Sequence, residues 1–97
     1  MTAPGDTVAL DGDVNIYRAA EVRELLLTRI AAGAHRIDLS RVQEVDSSGV
    51  QLLVAARRSI EAAGGVAEFV APSQAVVEAC AILGLNVDLS PIRGGAR

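Results

Sequence analysis

The chain has 97 residues and a mass of 10.0 kDa, which suffices for one compact domain but leaves little room for a second core. Hydrophobic residues make up 51% of it and charged residues 22%, a composition that excludes a disordered chain. Nine basic and twelve acidic residues give a net charge of -3, so nucleic acid and anionic membrane surfaces are poor partners.

Two strands and a helix are predicted for the first third of the chain. Apolar and polar residues alternate over 8–10 and 14–16, and the turn-forming Asp-Gly-Asp lies between them at 11–13. We therefore predict two short antiparallel strands. An apolar stripe at helical spacing then predicts a first helix over 18–32, with Gly33 placed to end it.

A strand and a second helix are predicted next. Residues 37–39 alternate as a strand, and 40–45 are expected to form a connection with two inward valines. Asp46-Ser-Ser-Gly49 then places oxygen-bearing side chains directly before an apolar series at helical spacing, which is typical of a helix start. The helix is expected to close at Gly64-Gly65.

The last third is predicted to hold a strand over 66–70 and a third helix from Pro72-Ser73 to Gly84. The expected buried stripe of this helix is Val76, Val77, Cys80 and Leu83. A final short strand over 87–89 would complete a core that runs from about residue 7 to about 90. We expect the tail over 91–97 to be frayed, which leaves a single domain over 1–97.

This alternation predicts an α/β fold with a small mixed sheet, its later strands parallel, and three to four helices packed on it. Functional residues in such sheets tend to lie beyond the carboxyl ends of parallel strands, where the next helix begins. Residues 46–49 occupy such a place.

Residues 46–49 allow two interpretations. In the structural one, Asp46 or Ser47 is the N-cap, Ser48 is an exposed first-turn residue, and Gly49 permits a close approach. In the functional one, a serine is phosphorylated, which adds about -1.5 to -2 charges beside Asp46 and Glu44. A partner that tolerates a neutral hydroxyl would then be repelled, so the site would act as an off switch.

Catalytic and metal sites are not indicated. The chain has no Lys, which excludes a phosphate-loop NTPase and a Schiff-base enzyme. His35 is predicted at the opposite end of the sheet from the serines, and Cys80 is expected to be a buried core residue. One His and one Cys cannot form a metal cluster, so neither a metal nor a cofactor is expected. An enzyme whose turnover depends on His35 or Asp46 is the third and most remote hypothesis.

The expected compartment is the cytoplasm. A single Cys cannot form an internal disulfide, which suits a reducing environment. The chain begins without a basic and apolar leader pattern, and no apolar run approaches about 18 residues. We therefore predict a soluble protein that does not insert into a membrane.

The chain resembles the STAS domain family, named for sulphate transporters and anti-sigma factor antagonists. The resemblance covers about 8–89 and depends most on Ile37-Asp-Leu-Ser-Arg-Val-Gln-Glu-Val-Asp-Ser-Ser-Gly-Val-Gln-Leu-Leu53. Leu10-Asp-Gly-Asp-Val14 is similar to the family's early turn, and Gly64-Gly65 and Ala81-Ile-Leu-Gly-Leu85 add support. The implied fold is the STAS fold, with the mixed sheet and helices predicted above.

This resemblance implies a regulatory protein that binds an anti-sigma factor and is not an enzyme. In the family, the unphosphorylated form binds a serine kinase of the ATP-binding, histidine-kinase-like type that doubles as an anti-sigma factor, and phosphorylation releases it. The serine before the glycine is the target, which here is Ser48, with Ser47 as second candidate. Asp46 is implied to position the hydroxyl and the kinase. The expected contact surface comprises residues 46–50, from Asp46 through Gly49 to Val50, and the adjoining Gly12, on a monomer or weak dimer.

A second class of function stays open. Val14-Asn-Ile-Tyr-Arg-Ala-Ala-Glu21 looks closer to STAS proteins of bacterial chemotaxis clusters, and segments similar to residues 37–42 occur in a STAS subunit of a phospholipid-transport ABC ATPase complex. In that alternative the chain stabilises a larger complex and the two serines only cap the helix.

Overall fold

Strands and helices alternate through residues 6–83, the part of the chain that the computed structural model describes. In chain order they are β1 (Thr7–Val14), α1 (Ala19–Ala31), β2 (Arg36–Val45), α2 (Ser47–Ala62), β3 (Glu68–Val70) and α3 (Gln74–Leu83). The strands form one sheet in the order β1-β2-β3, and both neighbouring pairs are parallel. The α/β prediction, with parallel later strands and three helices, is confirmed.

The prediction of two antiparallel strands at the start is wrong, because residues 7–14 form the single strand β1. The Asp-Gly-Asp triplet is an irregularity inside this strand, where the register with β2 shifts and Gly12 has a φ of 75°. The Arg18 guanidinium donates hydrogen bonds to the carbonyl oxygens of Asp11 (2.9 Å) and Asp13 (2.7 Å). These bonds satisfy two backbone carbonyls at the bulge, through which the chain continues as one strand.

Strand β2 is longer than predicted and β3 is shorter. The expected connection over 40–45 belongs to β2, where Glu44 and Val45 pair with Asp13 and Val14 of β1. In contrast, β3 contains only residues 68–70, and Val66 is 76% exposed. The longer β2 brings its carboxyl end level with that of β1, directly before α2 begins.

The helices cover the sheet with aliphatic side chains. Helices α1 and α2 pack against each other, as expected when two right-handed crossovers proceed in the same direction across a parallel sheet. Helix α2 also contacts α3. The buried core consists of Val8, Leu10, Val14, Val22, Leu26, Ala34, Ile37, Leu39, Val42, Val50, Leu53, Ala56, Ile60, Phe69, Val76 and Cys80.

Helix α3 follows its predicted stripe only in part. Val76 and Cys80 are buried, whereas Val77 is 52% exposed. Burial raises the pKa of the Cys80 thiol, which keeps it protonated and unreactive. The Leu83 side chain, the predicted strand over 87–89 and the tail lie outside the described residues. Among residues 6–83, no helix has the length and hydropathy needed to cross a bilayer.

Candidate functional site

The carboxyl ends of β1 and β2 meet the first turn of α2. Val14 and Val45 are paired at the end of the two strands. The Asp46 N–H donates a long hydrogen bond, 3.4 Å, to the Val14 carbonyl oxygen, and α2 begins with the next residue. Residues 46–49 therefore lie at the carboxyl edge of the parallel sheet, where the topology predicts a functional site.

Asp46, and not Ser47, is the N-cap of α2. Its backbone is extended (φ -111°, ψ -173°), and its Oδ1 accepts a hydrogen bond of 2.9 Å from the Gly49 N–H. The other oxygen, Oδ2, accepts a 3.1 Å hydrogen bond from the Ile16 N–H in the loop after β1. One carboxylate thus caps the helix and ties a neighbouring loop to it.

The two serines follow Asp46 in the first turn of α2. Ser47 is exposed and Ser48 is half-buried. Within residues 6–83, neither hydroxyl is engaged in a hydrogen bond. The first turn of a helix has backbone N–H groups without intrahelical partners and partial positive charge, so it can accommodate an anionic group.

Gly49 and Val50 anchor this turn to the sheet. A Cβ on Gly49 would overlap the Val14 carbonyl oxygen and lie 2.5 Å from Cγ2 of Val45, so only glycine fits here. The Val50 side chain is fully buried. Val50 is one of the residues predicted to contact a partner, but its side chain packs in the core and has no exposed surface.

The surface around the turn is acidic. An open groove of about 670 Å³ runs from the end of β2 to α3. Its lining includes Glu44, Asp46 and Glu78 but no Arg among the described residues. Ser47 lines this groove and Ser48 is the next residue, so a phosphate on either serine would add negative charge next to these carboxylates.

Gly12 lies beside a different groove. It pairs with Val42 in the sheet, two residues before the end of β1, and its neighbours there include Arg18 and Arg41. The structure brings Gly12 to the same half of the sheet as Asp46 but does not place the two in one groove.

Ile16 and Tyr17 are exposed residues that the sequence pattern missed. They are 62% and 92% exposed, although the alternation predicted Ile16 on a strand. The strand ends earlier because Asn15 Oδ1 accepts hydrogen bonds from the N–H groups of Tyr17 (3.0 Å) and Arg18 (3.2 Å). Asn at this position is a turn signal that could have indicated the loop.

His35 directly precedes β2, whereas the serines follow the other end of that strand. Its backbone N–H donates to the Asp6 carbonyl, and its carbonyl accepts from the Glu68 N–H. Residues 6–83 contain no group of three or more side chains able to hold a metal ion. The structure therefore does not bring His35 and the serines together in one site.

Comparisons with known proteins support the same domain type. A family model described as "Mlab, STAS domain" matches residues 2–92. The search of curated proteins found no match.

Three solved structures are similar to the chain. The anti-sigma factor antagonist SpoIIAA in its unphosphorylated form is 25% identical with a TM-score of 0.66, over 91% of this chain and 79% of that one. A Thermotoga maritima protein, provisionally assigned as an anti-sigma factor antagonist, is 25% identical with a TM-score of 0.70, over 87% and 76%. The Bacillus cell fate determinant SpoIIAA in its phosphorylated form, 23% identical with a TM-score of 0.63 over 97% and 89%, supports the fold alone. The chain belongs to the STAS domain family.

Proposed function

We propose that this STAS domain is a cytoplasmic regulatory binding protein of the anti-sigma factor antagonist type. Its unphosphorylated form binds a serine kinase that also acts as an anti-sigma factor, and phosphorylation of Ser48 releases that partner. The similar solved structures include an anti-sigma factor antagonist described in an unphosphorylated form, which supports this proposal.

The observation that carries the proposal is the division of roles between Asp46 and Ser48. Asp46 supplies the N-cap oxygen, so the Ser48 hydroxyl is left without a hydrogen-bond partner in the described residues. A phosphate in the first turn is also compatible with the helix dipole. Phosphorylation can therefore change the surface without unfolding α2.

The direction of the switch follows from charge. The neighbouring Glu44 and Asp46 are both exposed and acidic. A partner that covers this edge must desolvate these groups, and a phosphate would add to that cost and to any like-charge repulsion. The phosphorylated form is thus the form that does not bind.

Affinity capture from the native cell tests the proposal. Wild type is expected to retain a small ATP-binding serine kinase, and Ser48→Asp is expected to lose it. Ser48→Ala, which removes the hydroxyl without adding charge, is the matched control and should retain the kinase. Retention of the same kinase by all three proteins would contradict the proposal.

The family description supports a second candidate, because it names Mlab and no anti-sigma factor antagonist. In this alternative the domain is a permanent subunit of a transporter ATPase or chemotaxis complex. Its premise that the serines cap the helix is wrong, since Asp46 is the cap. Recovery of a transporter ATPase in the same capture, together with no effect of Ser48→Ala in cells, would favour it.

A further inference from the structure

We infer that Asp46 is a positioning residue that holds the loop over 15–18 against the first turn of α2. Through it, a phosphate on Ser48 changes the position of the exposed Ile16 and Tyr17 side chains. The inference rests on the proposed phosphorylation of Ser48. It assigns Asp46 a role within the protein in place of the implied contact with a kinase.

The two oxygens of Asp46 serve two different elements. Oδ1 accepts from the Gly49 N–H inside α2, and Oδ2 accepts from the Ile16 N–H after β1. The backbone hydrogen bond from the Asp46 N–H to the Val14 carbonyl oxygen is longer, at 3.4 Å. Since hydrogen bonds to charged acceptors are the stronger class, the carboxylate is the main tie between the loop and the helix start.

The loop is compact because its own hydrogen bonds hold it together. The Asn15 side-chain oxygen accepts hydrogen bonds from two backbone N–H groups of the loop. At the end of the loop, the Arg18 guanidinium donates hydrogen bonds to two carbonyl groups of β1. Its tip carries Ile16 and Tyr17, which are largely exposed. An aliphatic and an aromatic side chain next to a phosphorylatable turn form the kind of surface that a protein partner with an apolar pocket recognises.

The link between a phosphate on Ser48 and the position of Ile16 follows from where the Asp46 carboxylate lies. It is bonded to the N–H of Gly49, the residue directly after Ser48, so it lies over the same turn that carries the hydroxyl. A phosphate on Ser48 would compete for the N–H groups of that turn and repel the carboxylate. Displacement of the carboxylate weakens the hydrogen bond that it accepts from the Ile16 N–H.

Asp46→Asn separates the two roles of the side chain. Asn caps a helix as well as Asp does, so its amide oxygen can keep the bond to Gly49. The amide nitrogen that replaces the other oxygen cannot accept a hydrogen bond from Ile16. Hydrogen exchange measured by NMR on the purified protein should be about tenfold faster at the Ile16 amide, with the Gly49 amide unchanged. Equal exchange at Ile16 in both proteins would overturn the inference.

The coupling is tested by adding Ser48→Asp to both backgrounds. In the wild-type background, Ser48→Asp should shift the amide resonances of Ile16 and Tyr17. In the Asp46→Asn background, adding Ser48→Asp should leave both resonances at the positions measured for Asp46→Asn alone. Equal shifts in both backgrounds, or none in either, would refute the coupling. Denaturant unfolding of each variant controls for general loss of stability. No partner is present, so this result is independent of whether the kinase capture succeeds.

Discussion

Replacing Gly49 with Ala is expected to destabilise the domain by about 3 kcal/mol or more, although Ala is the better helix former by about 1 kcal/mol. The added Cβ would overlap a backbone atom, the Val14 carbonyl oxygen, which cannot move to another rotamer. Either the start of α2 or the end of β1 must shift, and both are tied by Asp46. Denaturant unfolding monitored by circular dichroism measures this loss.

Ala55→Gly is the matched control for Gly49→Ala. Ala55 is exposed in the same helix, so this change measures helix propensity alone and should cost about 1 kcal/mol. If Gly49→Ala proved as stable as the wild type or more so, the close approach between α2 and β1 would not exist as described.

Ser48→Asp is expected to weaken binding to the kinase about a hundredfold while leaving the fold intact. Like charges brought together at an interface cost several kcal/mol, and about 2.7 kcal/mol corresponds to this factor. An acid in the first turn of α2 is favoured by the helix dipole, which offsets part of the cost of a weaker Asp46–Ile16 hydrogen bond. The free energy of unfolding should therefore fall by no more than about 1 kcal/mol. Titration calorimetry with the captured kinase measures the affinity.

Thr28→Asp controls for net charge in that experiment. Thr28 is exposed near the carboxyl end of α1, at the other end of the domain from residues 46–49. The same added charge should leave the affinity within about twofold of wild type, because a distant surface charge is screened by salt. Equal losses in both variants would mean that the total charge, and not the Ser48 position, governs binding.

The sequence pattern predicts the helices well because their buried positions recur at helical spacing, as at Val22 and Leu26 in α1. It does less well for α3, where most positions are apolar, so the pattern cannot distinguish the exposed Val77 from the buried Val76. It also fails at residues 11–13. In the folded protein the Arg18 side chain donates hydrogen bonds to the carbonyls of Asp11 and Asp13, a contact that the local pattern does not predict.

The location of the candidate site is predictable, whereas its internal arrangement is not. Asp and Ser are comparable N-caps, so sequence alone leaves the choice between Asp46 and Ser47 open. The fold decides it by presenting two N–H groups, those of Gly49 and Ile16, which a carboxylate can satisfy together. The role of Ile16 could not be foreseen, because it depends on a contact across 30 positions of the chain.

The most direct test is phosphate transfer by the captured kinase, read by intact mass and peptide mapping. With ATP and magnesium, the wild type and Ser47→Ala should each gain a single phosphate at Ser48, and Ser48→Ala should gain none. A phosphate on Ser48→Ala but not on Ser47→Ala, or no phosphate on the wild type, would contradict Ser48 as the switch.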